Sequence, residues 1–377
     1  MSAGEQEDPV NGWRTAVREF CERELRPHAV EWAEAGRVDR GLWRRAGADG
    51  LLCADVPTAY GGGGRGFAAE VAVVEEQARV GDTAWGFTAH EVVAQYVLAG
   101  GTEAQRRRWL PGLASGELVG AIAMSEPGAG SDLGALTTRA EPDGDEFVLW
   151  GTKAFVTNGG LADLVVAPVM VAGALSLLVV DTRAAEPGRS PVVKIGRRGQ
   201  DTVDLCLDGL RVPAADLLGG EVGGAAALSM PLMSRERLLI AVAAVAAAEA
   251  VLAEAVAWSR RHEVFGRRLI RHQGTRFALA ECAASTAAGR ALVDDVVRRH
   301  VAGGVSPGDA AMVKFWTTER LFDVADRCLQ LYGGLGYTAG HPVARAWADA
   351  RVTRVYGGAN EVMREIVAAS LAGGAHR

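Results

Sequence analysis

Four short apolar runs decide the class of fold: LVGAIAM (118–124), EFVLWG (146–151), LSLLVVD (175–181) and VDLCLDGLRV (203–212). They lie between residues 117 and 225 and are separated by Gly, Pro and Asp, a composition typical of strands joined by turns. Because long helices do not alternate with these runs, a Rossmann-type domain is disfavoured. We therefore predict an antiparallel sheet over this part of the chain.

The sequence before this region predicts helices. Apolar residues recur at helical spacing over residues 13–34, and Pro27 predicts an interruption. Thr102, with a Gln three residues further on, is typical of a capping box at the start of another helix. Pro111 and Gly112 predict the turn that follows it.

Long Ala-rich helices are predicted after the strand region, the first of them over residues 237–261. The sequence thus predicts a mostly α, α+β fold of three domains. These are an N-terminal helical domain (1–116), a middle antiparallel β domain (117–225) and a C-terminal bundle of four-helix type (226–377).

Composition excludes several classes of protein. The 377-residue chain has a net charge of −6, so no basic surface indicates nucleic-acid binding. Five scattered cysteines without a CxxC pair indicate reduced thiols, and no metal site is predicted. The acidic start is unlike a signal peptide, and the longest apolar run, Leu238–Ala248, is short for a membrane span. We expect a cytoplasmic protein that is not in a membrane.

Six segments, in chain order, resemble segments of the acyl-CoA dehydrogenase family, and the likeness runs from about residue 11 to the end. Such a likeness in one segment would be weak evidence, whereas six in order are specific. The segments are AIAMSEPGAGSD (121–132), GTKAFVTNGG (151–160), GQDTVDLCLDGLRVPAADLLG (199–219), FGRRLIRHQ (265–273), CLQLYGGLGY (328–337) and YGGANEVM (356–363).

The resemblance implies a bound FAD. In the family, hydroxyls at the positions of Ser125 and Thr157 meet the polar edge of the flavin, whose N and O atoms need partners when buried. Phe155 matches an aromatic residue that flanks the flavin, and Ser131 could contact either FAD or the substrate. By themselves these residues are also explained as ordinary turn or core residues. The implied contacts of the β domain are Met124, Ser125, Gly130, Ser131, Phe155, Val156 and Thr157.

Further FAD contacts are implied in the C-terminal bundle, where the family supplies them to a neighbouring subunit. A homotetramer or homodimer is therefore expected. Two positions depart from the family pattern, because His262 and Ala359 stand where an Arg and a Thr are usual. The implied contacts are His262, Phe265, Gln273, Gln330, Gly333, Gly334, Gly358, Ala359, Asn360 and Glu361.

The catalytic carboxylate is the main question. Most family members carry it directly after the Tyr of the last motif, where this chain has Gly357. Long-chain and isovaleryl-type members carry it instead just before an Arg on the first bundle helix, which matches Glu236 and Arg237. By itself, Glu236 is more simply explained as complementing a helix dipole. The loss at 357 together with the gain at 236 favours the catalytic role, and a Glu placed at 357 could then take that role over.

The predicted activity is FAD-dependent α,β-dehydrogenation of an acyl thioester. Glu236 would remove the Cα proton while the Cβ hydrogen leaves as hydride to flavin N5, and the Gly357 N–H would bind the thioester carbonyl. Ser131, Ser234 and Arg237 would contact the substrate. The thioester could be that of coenzyme A or of a carrier protein, and an electron-transferring flavoprotein is the expected electron acceptor. The alternative is a flavoprotein of the same fold with another activity, such as a monooxygenase or oxidase, or a binding role.

Overall fold

The computed structural model describes residues 9–224 and 226–373, which form a helical region, a β region and a second helical region in that order. Apolar periodicity and caps in the first region produce helices that surround a core rich in tryptophan. The helices of the first region are α1 (Pro9–Phe20), α2 (Ala29–Ala35), α3 (Arg40–Ala48), α4 (Phe67–Arg79), α5 (Phe87–Gly100) and α6 (Glu103–Ser115).

Local sequence predicted most features of this region. The α-helix at the N-terminus is interrupted between Phe20 and Ala29 by a π-helical turn (Cys21–Leu25) and a 3-10 turn (Arg26–His28), and the 3-10 turn contains Pro27. The capping box at Thr102 is present, since its hydroxyl accepts from the Gln105 N–H at 3.3 Å and the Gln105 side chain accepts from the Thr102 N–H at 2.9 Å. These predictions are confirmed.

The turn predicted at Pro111 and Gly112 is wrong. Helix α6 continues through both residues and ends at Gly116, whose φ of 72° is left-handed. A proline inside a helix costs about 3 kcal/mol relative to alanine. Leu110 and Leu113, which flank Pro111, are fully buried, and their burial offsets this cost.

The middle region forms two sheets. In the larger sheet β5 pairs along one edge with β6 and along the other with β1 and β2, and β3 and β9 continue beyond β2. The smaller sheet has the order β4-β8-β7. The strands are β1 (Gly120–Ile122), β2 (Arg139–Asp143), β3 (Glu146–Trp150), β4 (Thr152–Thr157), β5 (Leu164–Val171), β6 (Ala174–Asp181), β7 (Gly188–Pro191), β8 (Thr202–Cys206) and β9 (Leu210–Pro213).

The β domain predicted from the sequence is confirmed, and its sheets are mostly antiparallel. Two pairings differ, because β1 and β2 both run parallel to β5. A parallel pairing requires the chain to cross over between the two strands. Here the crossover from β1 to β5 contains β2, β3 and β4 rather than an α-helix.

The C-terminal region is a helical bundle with a short hairpin between its first two long helices. The family-like segment around Phe265 lies in this hairpin. The elements are α7 (Ala226–Arg261), β10 (Glu263–Val264), β11 (Arg267–Arg268), α8 (Gln273–Val301), α9 (Pro307–Gln330), α10 (Pro342–Val352) and α11 (Asn360–Leu371).

Helix α7 joins the two helical regions. It packs against α4 and α5 of the first region and against α8 and α9 of the bundle. It begins at Ala226, eleven residues before the predicted start, and runs through Pro231. Residues 227–261 are long and apolar enough to cross a membrane by length and composition, and half of the apolar window is buried inside the protein, as in the core helix of a bundle.

Candidate active site

The structure brings Glu236 and Gly357 together. Ile240 lies one helical turn after Glu236 on α7, and residues four apart share a helix face. The Cδ1 atom of Ile240 is 2.3 Å from the place where a Cβ at Gly357 would lie. Next to Glu236, Arg237 Nε donates to the Gly357 carbonyl oxygen at 3.3 Å. The loop before α11 therefore lies against the same part of α7 as Glu236.

Glycine at position 357 is explained by this contact and by the backbone. Its φ is 64° and that of Gly358 is 93°, both left-handed values that favour glycine. A glutamate at 357 would require the terminal methyl of Ile240 to shift and would adopt a left-handed backbone, so its ability to replace Glu236 stays a prediction. No described residue accepts a hydrogen bond from the Gly357 N–H, which leaves it free to bind a ligand oxygen.

Glu236 has the environment of a general base. Its side chain is half-buried, and within residues 9–224 and 226–373 its carboxylate forms neither a hydrogen bond nor an ion pair. Burial raises its pKa above the usual value, while the charges of Arg237 and Lys314 oppose this rise. A carboxylate with a raised pKa is a stronger base.

The helix-dipole explanation of Glu236 is wrong, as is the placement of Glu236 at a helix start. Helix α7 begins at Ala226, so Glu236 lies ten residues inside it. The dipole acts mainly within the first or last turn of a helix. Burial among long-range neighbours therefore sets the protonation of Glu236.

Two buried residues hold the Gly357 loop, and sequence reasoning missed the first of them. Lys314 on α9 donates to the Gly358 carbonyl oxygen at 2.7 Å and to Asn360 Oδ1 at 2.9 Å. Burial lowers the pKa of Lys314 to about 7. One signal could have identified it, because the chain has only three lysines.

Asn360, predicted to contact FAD, uses its side chain within the protein. Its Nδ2 donates to Thr318 Oγ1 and Glu319 Oε1, each at 3.0 Å, while its Oδ1 accepts from Lys314. The side chain is buried and supports the loop rather than reaching a ligand. Its neighbours Gly358 and Ala359 are half-buried and Glu361 is exposed.

The flavin-edge residues predicted in the β domain lie together. The Ser125 carbonyl oxygen accepts from the Ala154 N–H at 2.8 Å, which places the loop after β1 beside β4. Ser125 and Thr157 are half-buried, and their hydroxyls have no hydrogen-bond partner among the described residues. Two hydroxyls in this state fit a ligand edge that carries N and O atoms.

Phe155 lies in an irregular part of β4. The pairing of β4 with β8 shifts register between Lys153 and Val156, and Phe155 has a φ of 58°. The irregularity turns the ring outward, so 67% of Phe155 is exposed while Val156 is buried. A large apolar ring held in solvent by a strained backbone indicates a surface that a flat ligand covers.

A buried ion pair fixes this half of the site and was not predicted from the sequence. Lys153 Nζ donates to Glu126 Oε1 at 2.8 Å and to the Pro168 carbonyl oxygen at 2.7 Å. Burial would raise the pKa of Glu126, but hydrogen bonds from Lys153, Thr138 and the Thr137 N–H lower it to about 2. The pair ties the loop after β1 to β4 and β5. The other predicted residues of this loop lie on its outer part, where Met124 is half-buried and Gly130 and Ser131 are exposed.

The predicted bundle residues form a separate cluster. The Trp258 ring stacks between His262 and Tyr332, with ring centroids 4.4 Å and 4.9 Å apart, and so joins the end of α7 to the family-like segment 328–337. Among the described residues, no hydrogen bond joins this cluster to the β domain. Phe265 is 94% exposed, and the other predicted contacts of the cluster are also exposed: His262, Gln273, Gln330, Gly333 and Gly334.

The predicted substrate contacts differ in whether their polar atoms are free to bind a substrate. Ser234 is buried and donates to the Met230 carbonyl oxygen at 2.9 Å, within its own helix. Arg237 is buried as well, and its Nη1 has no partner among the described residues. Arg237 can therefore bind a further group, while the hydroxyl hydrogen of Ser234 is already used.

Comparison with known proteins identifies the family. Models of the acyl-CoA dehydrogenase N-terminal, middle and C-terminal domains match residues 10–117, 121–210 and 223–372. The chain is 38% identical to the pig protein named long-chain specific acyl-CoA dehydrogenase, mitochondrial, over 94% of this chain and 85% of that protein.

Solved structures agree. An acyl-CoA dehydrogenase from Geobacillus kaustophilus superposes with a TM-score of 0.94 at 38% identity, covering 98% of this chain and 100% of the other. A glutaryl-CoA dehydrogenase from Mycobacterium smegmatis in complex with FADH2 superposes with a TM-score of 0.91 at 26% identity, covering 98% and 96%.

The fold and the site define an FAD-dependent oxidoreductase that acts on a CH–CH bond. The chain belongs to the acyl-CoA dehydrogenase family, and it dehydrogenates acyl-CoA with FAD as cofactor. The residues present fit that cofactor, because two unpartnered hydroxyls and an exposed aromatic ring on a strained backbone occur where the resemblance implied contacts with FAD.

Proposed function

We propose that Glu236 is the catalytic base of an acyl-CoA dehydrogenation and that the Gly357 N–H orients the substrate. The observation that carries the proposal is the position of Glu236, whose unpartnered carboxylate lies on the α7 face that packs on the Gly357 loop. In most family members the position of Gly357 carries the catalytic carboxylate. A carboxylate at either position would therefore reach the same Cα of the substrate.

The residues of the chain would divide the chemistry as follows. The Gly357 N–H donates to the thioester carbonyl oxygen, which stabilises the negative charge that develops there. Glu236 accepts the Cα proton once the bound acyl chain has excluded water and raised its pKa further. FAD, when bound, supplies the acceptor for the hydride from Cβ. Arg237 and Lys314 limit the rise in the pKa of Glu236, which favours the ionised form that accepts the proton.

The remaining parts of the proposal concern partners. We propose that an electron-transferring flavoprotein reoxidises the enzyme, and that the chain forms a homotetramer or homodimer in the cytoplasm. The exposed residues of the bundle cluster around Phe265 support the oligomer, because in the family their positions contact the cofactor of a neighbouring subunit. The acyl carrier is coenzyme A by family membership, and a carrier protein stays the finer alternative.

The test is anaerobic stopped-flow bleaching of the oxidised flavin by acyl-CoA. Glu236→Gln keeps the shape of the side chain but cannot accept a proton, so bleaching should slow by at least about 100-fold. FAD content should not change. Glu254→Gln is the matched control, because Glu254 is exposed on the same helix and should bleach at the wild-type rate.

If Glu236→Gln bleaches its flavin at the wild-type rate, another group takes the proton. Bleaching of wild type by carrier-protein thioesters alone would instead change the proposed carrier and leave the base in place.

A further inference from the structure

Arg197 connects the β region with the helical bundle. It lies in the loop between β7 and β8, and its backbone N–H donates to the carboxylate of Asp349 on α10. Its Nη2 donates to the Tyr356 hydroxyl oxygen at 2.7 Å, and its guanidinium lies over the Tyr356 ring, 5.0 Å from the centroid. Within residues 9–224 and 226–373, no other hydrogen bond or ion pair joins the β region to the bundle. Arg197 is therefore the polar link between these two parts of the molecule.

The loop that carries Arg197 is held tightly against α10. Arg197 has a φ of 48°, a left-handed value that is unfavourable for a residue with a side chain. At Gly196, directly before it, an added Cβ would lie 2.4 Å from the Ala348 carbonyl oxygen of α10. Asp349 also accepts from the Thr83 hydroxyl at 2.7 Å, so the first helical region helps to fix its carboxylate. A strained residue that its neighbours hold in place in this way is typical of functional positions.

The side-chain contact of Arg197 lies directly before the Gly357 N–H. This N–H belongs to the planar peptide group that joins Tyr356 to Gly357. Glycine permits many backbone directions, so the orientation of that group depends on restraints from its surroundings. After the peptide group, Arg237 donates to the Gly357 carbonyl oxygen at 3.3 Å and Lys314 to the Gly358 carbonyl oxygen at 2.7 Å.

Before the peptide group, the restraint is the hydrogen bond from Arg197 to the Tyr356 side chain. Tyr356 also lies within electrostatic reach of the proposed base. Burial raises the pKa of the Tyr356 phenol, while the charge of Arg197 opposes this rise and that of Glu236 adds to it. The contact of Arg197 with Tyr356 is thus a part of the surroundings of the candidate active site.

The same loop leads to the flavin-edge residues of the β region. The Gln200 N–H donates to the Arg197 carbonyl oxygen at 3.0 Å, and the chain then enters β8, where Thr202 pairs with Thr157 of β4. Hydride transfer requires the reacting atoms to be held close together, and a displacement of about 1 Å can slow such a step by about 100-fold. Arg197 joins the part of the chain that would hold the flavin to the loop that would hold the thioester.

We propose that Arg197 is a positioning residue that holds the Gly357 N–H, and with it the thioester carbonyl, in place relative to the flavin. The proposal rests on the proposed function, in which this N–H binds the carbonyl oxygen. Arg197 acts through Tyr356 rather than on the reacting atoms.

Two variants remove the hydrogen bond between these side chains. Arg197→Met removes the donor, and Tyr356→Phe removes a single oxygen atom and keeps the ring. Each should slow anaerobic bleaching of the flavin in FAD-loaded protein by about tenfold. Because both changes act on one interaction, the double variant should be no slower than Arg197→Met. Losses that multiply in the double variant would show that Arg197 does not act through Tyr356.

Arg198→Met is the matched control. Arg198 is the next residue of the same loop, is exposed, and has no hydrogen bond or ion pair within residues 9–224 and 226–373. Its loss should leave the bleaching rate unchanged.

Infrared spectroscopy distinguishes positioning of the carbonyl from support of the fold. An α,β-unsaturated acyl-CoA, the product of the reaction, binds the oxidised enzyme, and a hydrogen bond to its carbonyl oxygen lowers the carbonyl stretching frequency. With an isotope-labelled carbonyl, this shift should be full in wild type and Arg198→Met and smaller in Arg197→Met and Tyr356→Phe.

A full shift and wild-type bleaching in both variants, with only a lower Tm, would overturn the proposal and leave Arg197 with a structural role. Absence of the shift in wild type would instead contradict the proposed contact between the Gly357 N–H and the thioester.

Discussion

At Gly357, both the backbone conformation and a neighbouring side chain favour glycine. Its φ of 64° disfavours any side chain, and Ile240 occupies the space where one would begin. The loop can present its backbone N–H to a ligand because no side chain intervenes. The carboxylate that the chemistry requires then comes from α7, whose Glu236 lies one turn before Ile240.

The first prediction at this scale concerns Gly357→Ala. The left-handed backbone should cost about 1–3 kcal/mol, and the contact with Ile240 should add to that loss. Gly144→Ala is the matched control, since Gly144 has a φ of 65° but open space around it. Thermal unfolding should show a larger loss at 357 than at 144. Equal losses would mean that the Ile240 contact relaxes freely.

The second prediction concerns pH. The rate of flavin reduction should fall as the pH decreases through the raised pKa of Glu236, because the protonated carboxyl cannot accept a proton. Below about pH 7 Lys314 is charged and lowers that pKa. Lys314→Met should therefore move the acid limb to higher pH, as measured by single-turnover bleaching of FAD-loaded protein. Lys194→Met, a change in the β domain, should leave the limb where it is; an unmoved limb in Lys314→Met would contradict the coupling.

At the scale of elements, buried lysines connect strands and helices to the loops that carry the site. Lys153 ties the loop after β1 to β4 and β5, and Lys314 ties the loop before α11 to α9. Both amines are fully buried and use backbone carbonyl oxygens together with a side-chain oxygen. Each loop is thereby held to a rigid element although it has few contacts of its own.

The third prediction follows from the first of these lysines. Lys153→Met leaves the buried Glu126 carboxylate without its cation, which should destabilise the fold by about 3–5 kcal/mol. FAD affinity should also fall, because the loop that carries Ser125 is released. Arg139→Gln breaks an exposed pair with Glu141 at 2.9 Å, also in the β domain, and should change neither quantity measurably. Chemical unfolding and FAD titration measure the two effects; similar losses in both variants would show that burial of the pair is unimportant.

At the scale of the whole molecule, α7 makes one body of the two helical regions. Leu238, Leu239 and Val242 of α7 lie in one core with Trp43 and Trp85 of the first region. The proposed base lies on this helix, and the Gly357 loop packs against it at Arg237 and Ile240. The exposed cluster around Phe265 lies just beyond its end, in the hairpin that follows.

The fourth prediction belongs to this scale. Phe265→Asp should reduce both the molar mass in solution and the FAD content, because the proposed oligomer covers this exposed ring. Asp tolerates the left-handed φ of 53° at this position, so folding should be kept. Val193→Asp, at a residue 99% exposed on the β domain, is the control. Light scattering and the ratio of flavin to protein absorbance measure both effects, and an unchanged mass in Phe265→Asp would count against the cluster as an interface.

Local sequence was sufficient for the order of the three regions and for the capping box at Thr102. Periodicity, caps and turn residues act within a few positions of one another, so they can be recognised without the fold. The sequence also indicated that Gly357 and Glu236 occupy the two positions at which family members carry the catalytic carboxylate.

Long-range contacts were needed for the rest. Burial on both sides of Pro111 continued α6 past the expected turn. The early start of α7 at Ala226 places Leu228 and Leu232 against the core that α5 and α6 form. Three features depend on residues many positions away. They are the raised pKa of Glu236, the hydrogen bond that Lys314 donates to Asn360 and the absence of a partner for Glu91 Oε2 among the described residues. Burial and electrostatic interaction are properties of neighbours in space, and only the folded chain determines which residues are neighbours.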